Sequence, residues 1–450
     1  MLNPVSIYVL TNKPIAAKII KNMKVDINKL KRGQVELTIE LTTEEYKPFL
    51  QQAAQTISEF TKIPGFRPGK AGYDIVEKTI GAEKIWQEAF EPAVRKTFVK
   101  ALDDNQIITV GSPEIDIVKL AAGEPVIYKA KINLLPSVKI GDYSQIKIKG
   151  KILNIKDEQV KKVLSDLQKM HATESLVKRE AKLGDKLEID FNTFVDNIPI
   201  DNGKQEKFPL IIGEKTFIPG FEEQLIGLKE GETKEFQLKF PDNYHQKSVA
   251  GKLVDFKVKV NAVYQLDLPE LNDEFATRLG AFKDFNDFKE KIKENITKEE
   301  EEKESRRIED EILDKVIAQS LFDDIPDILI NSEAKKMIEE LEHNITHQGI
   351  QFDDYLNHLK KTRDELLLDF TEPAIKRVKS ALLIRELVRK ENITVSDQEI
   401  DQEIEKTIQM YGGNKDAEKQ LKEPEYKNYL QNILTARKAV ELLRSTIVQK

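Results

Sequence analysis

Residues 63–72 read "IPGFRPGKAG", with three glycines and two prolines in ten positions. Residues of these types favour turns, so the stretch predicts a loop, and loops lie on protein surfaces. Phe66 and Arg67 stand side by side within it. Because an exposed phenylalanine gains little from the hydrophobic effect until something covers it, Phe66 either folds back onto its own domain or contacts a partner.

The sequence before this loop predicts strands and a helix. Residues 24–42 read as strands, and "QVELTIEL" (34–41) alternates apolar and polar residues as a half-buried strand does. Thr42 and Glu45 have the spacing of a capping box, which opens a helix that Pro64 stops. The predicted apolar face of this helix comprises Tyr46, Phe49, Leu50, Ala53, Ile57 and Phe60.

The sequence after the loop predicts a second helical region and a return to strands. The helical region begins near Asp74 and places apolar residues at helical spacing as far as Phe98. Strands are predicted between residues 106 and 135, in "EIDIVKL" and "VIYKAKINLL". The loop is therefore expected at the tip of a helix–loop–helix that packs on a small sheet, which places Phe66 and Arg67 far from the core.

Composition limits the class of protein. The chain has 450 residues, of which 40% are hydrophobic, enough for two to four domains with cores of their own. It has no cysteine, which excludes disulfides and thiolate metal sites and fits a reducing cytosol. No stretch approaches the roughly 18 apolar residues of a membrane span.

Charge is distributed unevenly along the chain. Residues 1–150 contain 22 Lys and Arg against 17 Asp and Glu, a net charge of +5, which leaves −12 for the remainder. The net positive charge of residues 1–150, next to a net negative remainder, suggests an anionic partner for residues 1–150. Ordinary fluctuation of charge along a sequence explains the difference equally well. Residues 1–22 contain no acidic residue and make a poor secretory signal. We interpret them as an extension from an upstream start codon or as a disordered tail, with a targeting segment as the alternative.

The middle of the chain contains a second informative pattern. Residues 137–178 connect the predicted α+β region around the loop to a strand-rich region and include a predicted helix from about Lys156 to Met170. Within the strand-rich region, "LIIGEKTFIPGFEEQLIGLKEGE" (210–232) has the form of a strand, a turn and a short helix. With "LGDKLEIDF" before it and "FPDNYH" and "DFKVKV" after it, the region resembles the FK506-binding-protein-type prolyl isomerases.

This resemblance implies an apolar pocket. In the small isomerases an aromatic residue is common where Ile200 stands, and a tryptophan is common where Phe221 stands. A dry aromatic pocket favours the twisted X–Pro bond over the planar one, so the reaction needs no acid or base. The alternative is that these aromatic residues only fill a core. Carried over by position, the pocket residues are Phe191, Asp201, Phe208, Phe217, Ile218, Phe221, Tyr244 and Phe256.

The remainder of the chain, from about residue 270, is predicted to be almost entirely helical. One long, highly charged helix spans roughly Asp284 to Ser320. Ser396 and Glu399 repeat the capping-box spacing. Further helices are separated at Pro326, Gly349, the Gly412–Gly413 pair and Pro424.

Conventional catalytic and nucleotide motifs are missing from the sequence, which has no P-loop, no G-x-G-x-x-G and no G-x-S-x-G. We therefore expect no cofactor and action without ATP. His343 and His347 have the i, i+4 spacing of a metal pair, but no third ligand is evident. We interpret them as a solvated helix face and expect no metal site.

The order of these regions is similar to that of the bacterial trigger factor family. "GFRPGK" at a helix–loop–helix tip is followed by an isomerase-like region and a helical region that opens with "LPELNDEFATRLG" (268–280). The resemblance implies a multidomain α+β fold: an N-terminal α+β ribosome-docking domain, an antiparallel FKBP-like sheet domain and an all-α chaperone domain. The predicted divisions are 1–22 (extension), 23–136 (ribosome binding), 137–178 (linker), 179–265 (isomerase) and 266–450 (helical, substrate binding).

The same resemblance implies the partners. The large ribosomal subunit, at the protein and RNA of its exit tunnel, and nascent or unfolded polypeptides are expected, with no membrane and with a monomer–dimer equilibrium off the ribosome. Basic contact would rest on Arg67 and Lys70, because Pro68 stands where the family often has a lysine. The expected ribosome-binding residues are Gly65, Phe66, Arg67, Pro68, Gly69 and Lys70.

Three hypotheses about function fit the sequence. The first is a cytoplasmic ribosome-associated chaperone with prolyl isomerase activity. The second is a cytosolic FKBP-type isomerase with helical client-binding arms and no ribosome docking. The third is a periplasmic-type folding chaperone, against which the poor signal segment argues. The tip motif favours the first over the second, because a simple isomerase has no use for it.

Overall fold

A computed structural model describes residues 23–151, 153–195, 198–244, 249–410 and 415–449, except the side chains of Asp201, Asn202, Met410 and Ala417. The predicted extension 1–22 and the Gly412–Gly413 break lie outside the described residues. The chain divides into two compact units. One combines the residues up to Gly150 with those from Arg306 onward, and the other is Lys151–Ser305.

The first unit begins with helices packed on an antiparallel sheet. Its strands lie in the order β1 (Lys24–Lys29), β2 (Gln34–Leu41), β4 (Val126–Leu134) and β3 (Thr109–Lys119). Strand β2 alternates half-buried and buried residues along its whole length, so its apolar side chains face the helices, as the alternation in the sequence predicts. The elements are β1 (Lys24–Lys29), β2 (Gln34–Leu41), α1 (Thr43–Phe60), α2 (Tyr73–Ile80), α3 (Ala82–Asp104), β3 (Thr109–Lys119) and β4 (Val126–Leu134).

Local sequence signals set the ends of these helices. Thr42 and Glu45 form both hydrogen bonds of the predicted capping box at the start of α1. The single helical region predicted after the loop is two helices, because Gly81 adopts a φ of +99° between α2 and α3. Phe60 was predicted on the buried face and this is wrong. The helix ends there, and Ile63 of the loop covers the core instead.

The C-terminal part of the first unit is helical, as predicted. The predicted charged helix is α6 (Phe285–Gln319), of which the residues from Arg306 onward belong to this unit. That part packs against α10 (Thr371–Lys390) and α13 (Pro424–Ile447) through Ile312, Leu383 and Leu443. The other elements are β5 (Val138–Lys139), β6 (Ile148–Lys149), β12 (Leu321–Phe322), α7 (Asp327–His347), α8 (Phe352–Leu359), α9 (Arg363–Asp369), α10 (Thr371–Lys390), α11 (Asp397–Met410), α12 (Lys415–Leu421), α13 (Pro424–Ile447) and β13 (Val448–Gln449).

The second unit is built on a five-stranded antiparallel sheet. Its strands lie in the order β10 (Thr233–Lys239), β11 (Leu253–Asp267), β8 (Lys186–Val195) and β9 (Ile198–Ile211), and β7 (Thr173–Leu176) pairs with the far end of β11. A short 3₁₀ helix, Glu222–Leu225, follows Pro219, where a short helix is predicted. The elements are α4 (Asp157–Met170), β7 (Thr173–Leu176), β8 (Lys186–Val195), β9 (Ile198–Ile211), β10 (Thr233–Lys239), β11 (Leu253–Asp267) and α5 (Asp273–Leu279).

Hydropathy along the helices bears on membranes. Within the described ranges, no helix combines the length and the apolar character required to cross a bilayer.

Candidate functional site

The sheet of the second unit borders a cavity of about 530 Å³. Strand β8, strand β9, the segment before the 3₁₀ helix and strand β11 each contribute aromatic or aliphatic side chains to its wall. Such a volume suits a small apolar group such as a proline with its neighbouring residue. Of the eight predicted pocket residues, six line the cavity: Phe191, Phe208, Phe217, Ile218, Tyr244 and Phe256.

Aromatic contacts hold this wall together. The ring of Phe191 meets the rings of Phe208 and Phe217 edge to face, at centroid distances of 5.7 and 5.4 Å. Phe208 and Phe217 also meet each other at 5.8 Å. Edge-to-face contacts of this kind are favourable for aromatic rings, so the three side chains form a preorganised apolar surface.

Phe221 and Asp201 differ from the other predicted residues. Phe221 is fully buried and does not line the cavity, because the ring of Phe217 stacks on it at 4.0 Å. It supports the wall from below, in contact with Phe236 and Phe256. Asp201 lies in β9, but its side chain is outside the described part of the chain.

Several lining residues were missed from sequence. Thr193 lies two residues after Phe191 on β8, so the alternation of a strand could have placed it on the same face. Gln205 is the cross-strand partner of Phe191, and only the pairing register reveals it. The remaining lining residues are Ile200, Gly203, Thr216, Pro219, Phe240, Pro241 and Val249.

A buried carboxylate positions one wall of the cavity. Glu222 is 5% exposed, and its oxygens accept hydrogen bonds from the backbone N–H groups of Gly213 (2.7 Å), Lys215 (3.0 Å) and Thr216 (2.8 Å). Burial raises the pKa of this carboxyl, but the backbone donors outweigh burial and the net pKa is lowered. Glu222 thus fixes the turn that leads into Phe217, a role that the sequence did not suggest.

The chemistry of the lining is apolar with a few neutral polar groups. Among the lining residues that the structure describes, Tyr244 is the one with a titratable side chain, and Thr193, Gln205 and Thr216 add neutral hydrogen-bonding groups. The hydroxyl of Thr193 donates to the backbone oxygen of Gly203 at 2.9 Å, which ties β8 to β9 at the cavity edge. Among the described lining residues, none supplies a carboxylate or an imidazole for proton transfer.

The loop at residues 63–72 is a second candidate site, in the first unit. Phe66 is 42% exposed, so it does not fold back onto the core, and Arg67 and Lys70 are exposed beside it. Two turns shape the tip, one closed by the Phe66 N–H donating to the Ile63 oxygen (3.2 Å), the other by the Lys70 N–H donating to the Arg67 oxygen (3.0 Å). The loop thus presents an aromatic and two cations outward.

Gly69 joins this loop to helix α1. Its N–H donates to the Ser58 oxygen at 3.0 Å, and its φ is +73°. A Cβ at this position would lie 2.8 Å from Cγ of Glu59, so glycine suits both the conformation and the close approach. Gly65 also has a positive φ, of +84°, at the first turn. The two glycines therefore shape the backbone of the tip.

His343 and His347, the predicted i, i+4 pair, lie on the exposed face of α7. Their Nε2 atoms are 3.0 Å apart. Across the part of the chain that the structure describes, no group of three His, Cys, Asp or Glu side chains could enclose a metal ion.

Family models match three segments of the chain. "Bacterial trigger factor protein (TF)" matches residues 23–167, "FKBP-type peptidyl-prolyl cis-trans isomerase" matches 177–266, and "Bacterial trigger factor protein (TF) C-terminus" matches 284–445. The isomerase match contains all the residues that line the cavity, and the first match contains the loop tip.

Sequence relatives that match most of the chain agree with these family models. The chain is similar to the trigger factor of Caldicellulosiruptor saccharolyticus, with 32% identity over 94% of this chain and 96% of that one. It is also similar to the trigger factor of Bacillus cereus, with 36% identity over 85% and 91%. A solved structure titled "Promiscuous Substrate Recognition in Folding and Assembly Activities of the Trigger Factor Chaperone" aligns with a TM-score of 0.47 and 20% identity over 94% and 99%. By its family-model matches and its relatives, the chain belongs to the bacterial trigger factor family, the ribosome-associated chaperones that contain an FKBP-type prolyl isomerase domain.

Proposed function

We propose that this chain docks on the large ribosomal subunit through residues 65–70 and shields nascent chains near the exit tunnel without ATP. The observation that supports this most directly is the tip itself, where exposed Phe66 stands beside exposed Arg67 and Lys70. Cations can neutralise RNA phosphates or acidic ribosomal side chains, while the aromatic ring fills an apolar depression. Few charges imply moderate, salt-sensitive and reversible binding, which suits a chaperone that cycles.

The proposed division of labour follows the predicted domains. Residues 23–136 bind the ribosome, 137–178 link, 179–265 isomerise X–Pro bonds and 266–450 hold unfolded chains. The three matched segments support this order, although the boundary between the compact units, after Gly150, falls inside the proposed linker. We further propose a cytoplasmic location and a homodimer when the protein is off the ribosome.

The proposed isomerase site is the aromatic cavity. A substrate proline would lie against Phe191, Phe208 and Phe217, with Ile218, Tyr244 and Phe256 completing the wall. Twisting the X–Pro bond breaks amide resonance and reduces charge separation at the carbonyl. An apolar wall therefore stabilises the twisted state relative to the planar state, which lowers the barrier without proton transfer.

Co-sedimentation with ribosomes tests the docking proposal. Wild type is compared with the Phe66→Ala/Arg67→Ala double variant and with Arg95→Ala as a matched control. Arg95 suits this purpose because it is an exposed arginine on α3, which packs on the same sheet as the helices that flank the loop. Wild type and the control should pellet with ribosomes at low salt and dissociate at high salt, and the double variant should stay in the supernatant. If all three proteins pellet equally, the tip is rejected as the docking site. If none of them pellets with ribosomes, the result favours an isomerase that does not dock.

A further inference from the structure

Phe60, the last residue of α1, is the most exposed large apolar side chain in the described part of the chain, at 87%. Isolated exposed apolar residues are common and need no explanation by themselves. The helix does not need Phe60 for its own packing, because Ile57 and Ile63 cover the core on either side of it. Its position relative to the loop tip is what makes it informative.

The last turn of α1 and the loop tip form one continuous surface. The Gly69 N–H donates to the Ser58 oxygen at 3.0 Å, and the Gly69 backbone lies directly against the side chain of Glu59. Phe60 follows these two residues, and the Thr61 N–H closes the helix on Ile57 at 2.8 Å. Phe60 is thus held beside the tip by ordered backbone contacts.

Charge on this surface is mostly positive. Residues 58–73 contain Lys62, Arg67 and Lys70 and one acidic residue, the exposed Glu59. All three cations are exposed, and among the described residues none of them takes part in an ion pair. Two phenyl rings, Phe60 and Phe66, are therefore interleaved with three cations.

We propose that Phe60 and Lys62 extend the docking surface, with Phe60 stacking on an unstacked base of ribosomal RNA and Lys62 neutralising a nearby phosphate. A ring as exposed as that of Phe60 offers a stacking platform, and cations beside such a ring are typical of sites for single-stranded nucleic acid. The three cations outnumber the one acidic residue of 58–73, Glu59, so the surface attracts phosphates overall. The proposal rests on the proposed function, that the tip docks on the ribosome.

Equilibrium titration of the full-length protein with ribosomes at several KCl concentrations tests it. Phe60→Ala should weaken binding by roughly 5- to 150-fold, the loss expected for one base–aromatic stack. Phe60→Trp should bind as well as wild type, whereas Phe60→Leu should lose nearly as much as the alanine variant. Lys62→Ala should reduce the slope of log K against log salt by about 0.7 to 0.9.

The matched control is Met170→Ala. Met170 is also the last residue of a helix and is 78% exposed, so its removal should leave ribosome binding unchanged. If Phe60→Leu binds like wild type and Phe60→Ala does not, the ring occupies a protein pocket and the RNA assignment is overturned. If Phe60→Ala binds like wild type while Phe66→Ala/Arg67→Ala does not, the inference fails and the docking proposal stands. If wild type does not bind, the docking proposal itself fails.

Discussion

Phe217 stacks on Phe221 with ring centroids 4.0 Å apart and an interplanar angle of 26°. The upper ring faces the cavity, and the lower ring belongs to the core. Phe217 therefore lines the cavity while Phe221 supports it from the core, although both rings lie in the same five-residue stretch of sequence.

Alanine at these two positions should have different consequences. Phe221→Ala removes a fully buried ring and should lower the free energy of unfolding of the sheet domain by about 3–5 kcal/mol. Phe217→Ala should cost less stability but reduce kcat/KM on an X–Pro peptide by about tenfold or more, since it removes part of the wall. Amide hydrogen exchange in β8 and β11 measures the first effect, and a peptide isomerisation assay measures the second. A larger stability loss for Phe217→Ala would contradict the assignment.

Replacing Glu222 should loosen the turn that precedes Phe217. Glu222→Gln keeps the shape of the side chain but replaces one carboxylate oxygen by an amide N–H₂, which faces the backbone N–H donors of the turn. We therefore expect the free energy of unfolding to fall by about 2–3 kcal/mol at neutral pH. Glu223→Gln is the matched control, because Glu223 is exposed and adjacent. Urea unfolding of the three proteins measures the difference, and equal midpoints would show that the buried carboxylate is not needed.

The same carboxylate predicts a pH dependence. Because the pKa of Glu222 is lowered on folding, its stabilising contribution is present above the ordinary value of 4.5 and is lost as pH falls through the lowered pKa. The stability gap between wild type and Glu222→Gln should therefore be largest at neutral pH and should shrink on acidification below that value. A gap that stays constant across this range, measured by urea unfolding at each pH, would contradict the assigned charge state.

Gly69→Ala should disturb the loop tip through its backbone. A non-glycine residue at a φ of +73° costs about 1–3 kcal/mol, and the new Cβ also approaches Glu59. Ribosome affinity should fall because the Arg67–Lys70 turn is no longer anchored on α1. Gly72→Ala is the control, since no atom lies within 4 Å of a Cβ placed there. If the two variants bind ribosomes equally well, the anchoring hydrogen bond is not important for docking.

Local signals predicted much of the fold. The capping box at Thr42 and the alternation in β2 depend on neighbours in sequence, and both are present as expected. Phe60 was misplaced because hydrophobic periodicity does not reveal where a helix ends, and here Ile63 from the loop takes over the core contact. The break at Gly81 was missed for a similar reason, because apolar spacing continues across it.

The site was predictable only in part. Position-by-position resemblance identified most of the aromatic wall, but it did not separate the ring that lines the cavity, Phe217, from the ring beneath it, Phe221. Gln205 reaches the cavity through its pairing with Phe191, and strand register is a long-range property. Glu222 was missed because its role depends on backbone donors that converge only in the folded turn.

Site-specific photocrosslinking on translating ribosomes tests the central claim most directly. A photoreactive phenylalanine analogue replaces Phe66 in one protein and Phe352, which is buried in the helical part, in a control. The account predicts that position 66 crosslinks to a component of the large ribosomal subunit, that this product disappears with Arg67→Ala, and that position 352 gives no ribosomal product. If the protein co-sediments with ribosomes but position 66 gives no ribosomal crosslink, the claim that the tip docks on the ribosome is contradicted.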